Sequence, residues 1–202
     1  MPSAAYWTEP MTGERAAGLA GLVGPCVFTG AWIAGSLLQA GHSMATIQIS
    51  GLAAPDARAP WIMITGFEVL GGCVIAFGYG LRGQASRAAW LIEAAGLLTI
   101  AAGLLRRDHL LLTSGPVSWH NRAHDVVSAL IYADLVLAQV LLARSSGRGL
   151  LVSATATAGL LVAFAADTSA PDAGVLQRLL VSVPLAAVMA VSVRLLRDRD
   201  MP

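Results

Sequence analysis

Long apolar runs, separated by short clusters of Arg, Gly, Pro, Asp and His, set the pattern of this chain. Six runs fall at roughly 17–40, 59–81, 87–106, 124–144, 149–168 and 175–196. A bilayer core of about 30 Å needs about 20 apolar residues of helix. Each run therefore predicts one membrane-spanning helix, and the fold class expected is an all-α, six-helix polytopic membrane bundle. The fifth run is the weakest, because Ser153, Thr155 and Thr157 dilute it. Strict alternation over short segments, the mark of a transmembrane barrel, is absent. No repeat or linker interrupts the series, so residues 1–202 read as one domain.

Composition narrows the function classes. Hydrophobic residues make up 56% of the 202 and charged residues 12%, about half the usual charged fraction of a soluble domain. Soluble enzymes and disordered chains are excluded. The net charge of +1 carries no basic footprint, so nucleic acid is not an expected partner. Cys26 and Cys73 both sit inside apolar runs, which speaks against a disulfide framework. Glu9 and Glu14 precede the first run where a cleavable signal carries basic residues.

All 13 basic residues are arginine. Eight (15, 82, 87, 144, 148, 194, 197 and 199) fall on one side of the expected topology and five (58, 106, 107, 122 and 178) on the other. By the positive-inside rule both termini are cytoplasmic, in a multi-pass protein of the cell membrane. Trp61, Trp90 and Trp119 lie near run ends, where aromatic side chains anchor at the interface. Short turns at 82–86 and 145–148 pair the neighbouring helices. Gly18, Gly21, Gly24, Gly30 and Gly35 in the first run, with Gly66, Gly71, Gly72 and Gly78 in the second, are expected to serve close packing.

Three carboxylic acids interrupt the runs: Glu68, Glu93 and Asp134. Ionisable residues inside a membrane are expensive and mark functional sites. At about 1.5 Å per residue, Glu68 lies roughly 13 Å and Asp134 roughly 15 Å below the outer surface, and Glu93 roughly 9 Å above the inner one. Helical phase groups Thr65, Glu68, Gly72 and Tyr79 on one face, and His120, His124, Val127, Ile131, Asp134 and Ala138 on another. The expectation is a shared cavity with the three acids in a vertical cluster.

A second polar constellation is Arg106-Arg107-Asp108-His109, followed by Trp119-His120-Asn121-Arg122-Ala123-His124-Asp125. His120 and His124 share a helix face, a spacing that suits a divalent metal when a third ligand exists, with His42, Asp108 and His109 as candidates. Without one, the cluster reads as an interfacial helix cap, with Asn121 or Asp125 near the helix start and Arg122 paired to Asp108. Segment 48–56, turning at Pro55, is an outer lid or connector; Asp167 and Asp172, flanking Pro171, read as solvated. Ser43 and Ser50 have no evident base beside them.

Segment 50–55 (Ser-Gly-Leu-Ala-Ala-Pro) runs into 59–67 (Ala-Pro-Trp-Ile-Met-Ile-Thr-Gly-Phe), and Asp108 is followed by Ser118-Trp119-His120-Asn121-Arg122-Ala123-His124. With six runs, this resembles the bacterial integral membrane family catalogued as domain of unknown function 998. The resemblance covers most of the chain and implies fold and location; the family carries no established general activity. In that pattern apolar residues are more usual at the places of Glu68 and Glu93, which implies acids particular to this chain.

The chemistry expected first is that of a membrane-integral terpene cyclase, a lyase- or isomerase-type enzyme of secondary metabolism. It resembles in general plan the small membrane cyclases of meroterpenoid pathways, which have few helices and acids in the membrane. Glu68 or Asp134 would protonate a polyprenyl or epoxy-polyprenyl substrate, with Glu93 as partner or terminal base. Tyr79, Trp32, Phe67 and Tyr132 would stabilise the cation, and His120, His124 and Asp108 would bind substrate. No metal and no cofactor is required, and the partners are an isoprenoid or lipid substrate, membrane lipid, and an upstream prenyltransferase and epoxidase. The alternatives are a metal-dependent lipid hydrolase built on the histidines and a proton-coupled transporter or non-catalytic membrane protein. Transport has less support, because no broken helix pair or inverted repeat is visible.

Overall fold

The computed structural model describes residues 13–40, 43–111, 117–166, 168 and 171–197. All regular structure among them is helical: α1 (Gly13–Leu37), α2 (Pro60–Leu104), α3 (Trp119–Ser146), α4 (Gly149–Ala166) and α5 (Ala173–Arg197). All five are long and apolar enough to cross a membrane, as expected of an integral membrane protein. The sequence predicts six elements; five are found, because the second and third runs share α2.

A straight helix of 45 residues would measure roughly 68 Å, about twice a bilayer core. α2 is not straight. Ala85 has non-helical backbone angles (φ −150°, ψ 63°) and divides it into two arms. The arms lie antiparallel at backbone distance: a Cβ on Gly71 would stand 2.6 Å from the Gly96 carbonyl oxygen, one on Gly78 3.0 Å from that of Ala89, and one on Gly103 2.8 Å from the Phe67 Cβ. Only small residues permit this approach. Gly18, Gly21, Gly24 and Gly66 serve α1's contacts with α2 and α5 in the same way, whereas Gly30 and Gly72 face open space.

Glu14 accepts a 2.8 Å hydrogen bond from Gln84, and Gly18 packs against Leu196. The beginning of α1, the bend of α2 and the end of α5 thus share one end of the bundle, the turn end. Gly147, at φ 100° between α3 and α4, lies on the turn between them and adopts a left-handed conformation natural to glycine. At the opposite, loop end lie 43–59, 105–111 and 117–118. Trp61 and Trp119 are exposed there, and Trp90 near the turn end, as interfacial anchors should be. Cys26 and Cys73 are free.

Segment 43–59 is not a solvated connector. A 3₁₀ turn at Ile49–Ala53 is wholly buried, as are Ile47, Gln48 and Ala54. A polar backbone inserted into an apolar bundle must find partners; Arg178 supplies several, while Arg107 holds the buried Gln48 side chain. Arg178 on α5 donates from Nη1 to the carbonyls of Met44 and Ile47, both at 2.7 Å, and from Nη2 to Ser36 Oγ at 2.9 Å. Arg107 donates to Gln48 Oε1, and Gln48 Nε2 donates to the Thr168 carbonyl at 2.7 Å. Two glycines make the seat: a Cβ on Gly174 would meet the carbonyls of Ile47, Met44 and Ala45, and one on Gly51 the carbonyl of Leu110. The segment is a plug clamped from both sides.

Candidate functional site

Beneath the plug lies a cavity of about 60 Å³, room for several water molecules at about 10–15 Å³ each. Ile49 and Ser50 form its roof. α3 contributes His124, Ser128, Ile131, Tyr132 and Leu135, and α5 contributes Gln177, Val181, Pro184 and Leu185. Phe28, Phe67, Leu70 and Thr99 close the back from α1 and the two arms of α2. The cavity exists because α3 and α5 scarcely touch each other. α4 contributes nothing to its walls, and beyond Thr157 no residue of α4 is buried.

Two polar features converge on the apolar walls. The Ser50 N–H donates to Gln177 Oε1 at 3.4 Å, and Gln177 Nε2 donates to Ser50 Oγ at 3.3 Å, so roof and wall are tied together. His124, 3% exposed, turns Nδ1 towards the carbonyl oxygens of Ala102 (3.0 Å) and Leu105 (2.8 Å) at the end of α2. Both are acceptors, so Nδ1 carries the hydrogen. The last carbonyls of a helix need such donors. His124 is therefore a C-terminal cap for α2, and its ring also stands edge-on to Phe67 at 6.4 Å.

His120 has a different fate. It is exposed, stacks beside Trp119 with centroids 4.2 Å apart, and approaches Ser118 Oγ at 3.3 Å. The two histidines share a helix face, yet the bundle edge passes between them. Among the described residues no group of three His, Cys, Asp or Glu side chains is placed to share a metal ion. His42, one candidate third ligand, lies outside the described residues, as does Asp167.

The loop-end cluster acts as an interfacial cap with different partners from those expected. Ser118 caps α3, its hydroxyl accepting from the Asn121 N–H at 3.2 Å. Ser118 donates its own N–H to Asp108 Oδ2 at 2.9 Å, and its hydrogen bonds hold the Asp108 carboxyl below the usual carboxylate range. Asp125 pairs with Arg107 at 3.3 Å, not Arg122 with Asp108. Burial pushes the Arg107 guanidinium down from its ordinary value, against the pull of Asp125 and Asp108.

The three acids do not meet in the cavity. Glu93 forms a two-pronged ion pair with Arg82 across the arms of α2, with Nε donating to Oε1 at 2.7 Å. The Arg82 guanidinium also lies 4.9 Å from the Tyr79 ring and 4.1 Å from that of Trp90. Glu68 is half-buried against the other arm; its Oε1 has no hydrogen-bond partner among the described residues and sits near Gly103. The face expected to accompany it, Thr65, Gly72 and Tyr79, is exposed. Asp134 is half-buried and lies roughly 60° around α3 from Ile131 at about 100° per residue, on the flank between the cavity wall and the exposed stripe Val126, Leu130 and Leu137.

Of the ring residues expected around a substrate, Phe67 and Tyr132 line the cavity. Tyr79 stands exposed beside Arg82, and Trp32 lies under the Arg178 guanidinium at 5.0 Å. Sequence reasoning singled out Arg107 and Ser50 without these roles, and missed Gln177 and Arg178 as site residues. Gln177 and Arg178 open an otherwise apolar run, and such a doublet in a span is the available signal.

No curated protein and no solved structure matches the chain. The family described as "Protein of unknown function (DUF998)" matches it over residues 22–194. Carrying the plug-forming loop, the cap on α3 and the spans that enclose the cavity within that match, the chain belongs to the DUF998 family.

Proposed function

We propose that the cavity binds the apolar chain of an isoprenoid or related membrane lipid, which reaches it from the bilayer between α3 and α5. The observation that carries this reading is the wall itself: apolar and aromatic side chains with a few convergent polar groups, the usual make-up of a small-molecule site. At about 60 Å³ the cavity is smaller than the roughly 300–1,000 Å³ of an occupied ligand site. Binding therefore separates α3 from α5. The sparse contact between them, the uncovered face beyond Thr157 and Pro184, which lacks a backbone donor, favour movement there. In this reading each arm of α2 crosses the membrane, giving six crossings with both termini on the cytoplasmic side of the cell membrane.

The reaction we assign is cyclisation, favoured by one observation: the rings of Phe28, Phe67 and Tyr132 face the same small space, as cation stabilisation requires. Asp134, on the flank of the wall, is the proton donor. It protonates a substrate alkene or epoxide, and the final carbocation returns a proton on forming a double bond, so acid and substrate balance without an oxidant. Glu93, held by Arg82, is a structural ion pair in this scheme rather than a partner acid.

Photo-crosslinking tests the site. A farnesyl diazirine in liposomes holding the protein should label the wall residues Ser128, Ile131, Tyr132, Val181 and Leu185. Labelling confined to Val126, Leu130 and Leu137 would mean contact with bulk lipid only and would overturn the reading.

A further inference from the structure

A second cavity, of about 20 Å³, lies deeper between α3 and α5 and is lined by Phe77, Ile92, Leu142 and Val188 among others. Leu135 and Pro184 are walls of both cavities, so the two chambers adjoin there, and a path from one to the other passes these two side chains. The deep chamber is apolar apart from Gln139, 6% exposed. Its Nε2 donates to the Leu135 carbonyl at 3.1 Å, whereas Oε1 is buried with no hydrogen-bond partner among the described residues. Buried acceptors are nearly always satisfied, so this oxygen marks a place for a donor from a bound molecule.

We infer that the path binds a linear molecule polar at both ends, its chain passing Leu135 and Pro184, one end at Ser50 and Gln177 and a hydroxyl at the other donating to Gln139 Oε1. This rests on the proposed upper-chamber site and narrows its ligand class. His124, which lines the upper chamber with Ser50 and Gln177, and Gln139 are 15 positions apart in α3, roughly 22 Å at about 1.5 Å per residue, a length that suits a long unbranched chain. A ligand with only one polar end would leave Gln139 as it is now.

The test uses the full-length protein in nanodiscs, with hexadecanediol, hydroxylated at both ends, hexadecanol, hydroxylated at one, and farnesol as the shorter probe. The diol is expected to bind about tenfold more tightly than hexadecanol, the scale of one net hydrogen bond. Gln139→Met should erase that preference while leaving farnesol affinity unchanged, which also reports that the variant is folded. Val188→Trp, which fills the deep chamber alone, should weaken both long alcohols and spare farnesol. Equal affinity of the wild type for diol and hexadecanol, with farnesol bound, overturns this inference and leaves the upper site standing. Absence of all binding overturns both.

Discussion

Arg178 Nη1 donates to the Ile47 carbonyl oxygen at 2.7 Å, joining α5 to a loop that hydropathy places outside the membrane. The same nitrogen reaches the Met44 carbonyl and Gly174's own. One cation thus satisfies several backbone acceptors that would otherwise be stranded above the cavity.

Replacing Arg178 with Met keeps much of the packing over Trp32 and removes the donors. Charged hydrogen bonds are each worth about 1.5–3 kcal/mol, so a loss of about 2–3 kcal/mol is expected after partial rehydration. Thermal unfolding in detergent measures it, and limited proteolysis should find new cleavage within 43–59. An unchanged protease pattern would mean that the plug holds without its clamp.

The ion pair between Arg82 and Glu93 has a structural signature. Arg82→Ala leaves a buried carboxylate alone and should destabilise more than Arg82→Ala combined with Glu93→Gln. A double-mutant cycle is expected to give a small favourable coupling, modest because the arginine is partly exposed. Glu93→Gln should leave ligand affinity unaltered, whereas a catalytic or binding role for Glu93 would change it.

The two histidines should behave differently. His124→Phe strands the Ala102 and Leu105 carbonyls at the end of α2 and should cost about 1–3 kcal/mol. His120→Ala, at an exposed position, should stay within about 0.5 kcal/mol. Added zinc should raise the unfolding temperature of neither the wild type nor these variants. Zinc stabilisation that depends on both residues would restore the metal reading.

Asp108 gives the loop end an acid dependence. Its carboxyl is held below the ordinary 3.8 by Ser118. The unfolded chain therefore takes up the proton first, so the stabilisation is complete well above that value and fades as pH falls through the lowered one. Scanning unfolding temperature between about pH 5 and pH 3 should show a loss that Asp108→Asn reduces. Identical profiles would remove Ser118–Asp108 as a contributor.

Much of the fold was legible because apolar run length is a strong signal, and the break at Ala85 coincides with the turn expected at 82–86. The plug was not legible. Its apolar side chains are interrupted by Thr46, Gln48, Ser50, Asp56 and Arg58 and make no long run, and the arginines that hold it, Arg107 and Arg178, are distant in sequence. For a related reason the three acids do not line the cavity together: helical phase says which residues share a face, not whether that face meets protein or lipid. Thus Asp134 fell on a flank, and the Glu68 stripe pointed outward. Phe67, Tyr132 and His124 line the cavity, but His124's capping role depends on the end of α2, which periodicity does not fix.

Filling the cavity tests the central claim most directly. Leu185→Trp introduces an indole into the space that Phe67, Tyr132 and Leu185 enclose. Farnesol binding to the wild type and to this variant in nanodiscs, followed by titration calorimetry, should show affinity falling at least tenfold while the unfolding transition stays cooperative. Equal affinity in a cooperatively folded variant would contradict the assignment of this cavity as the ligand site.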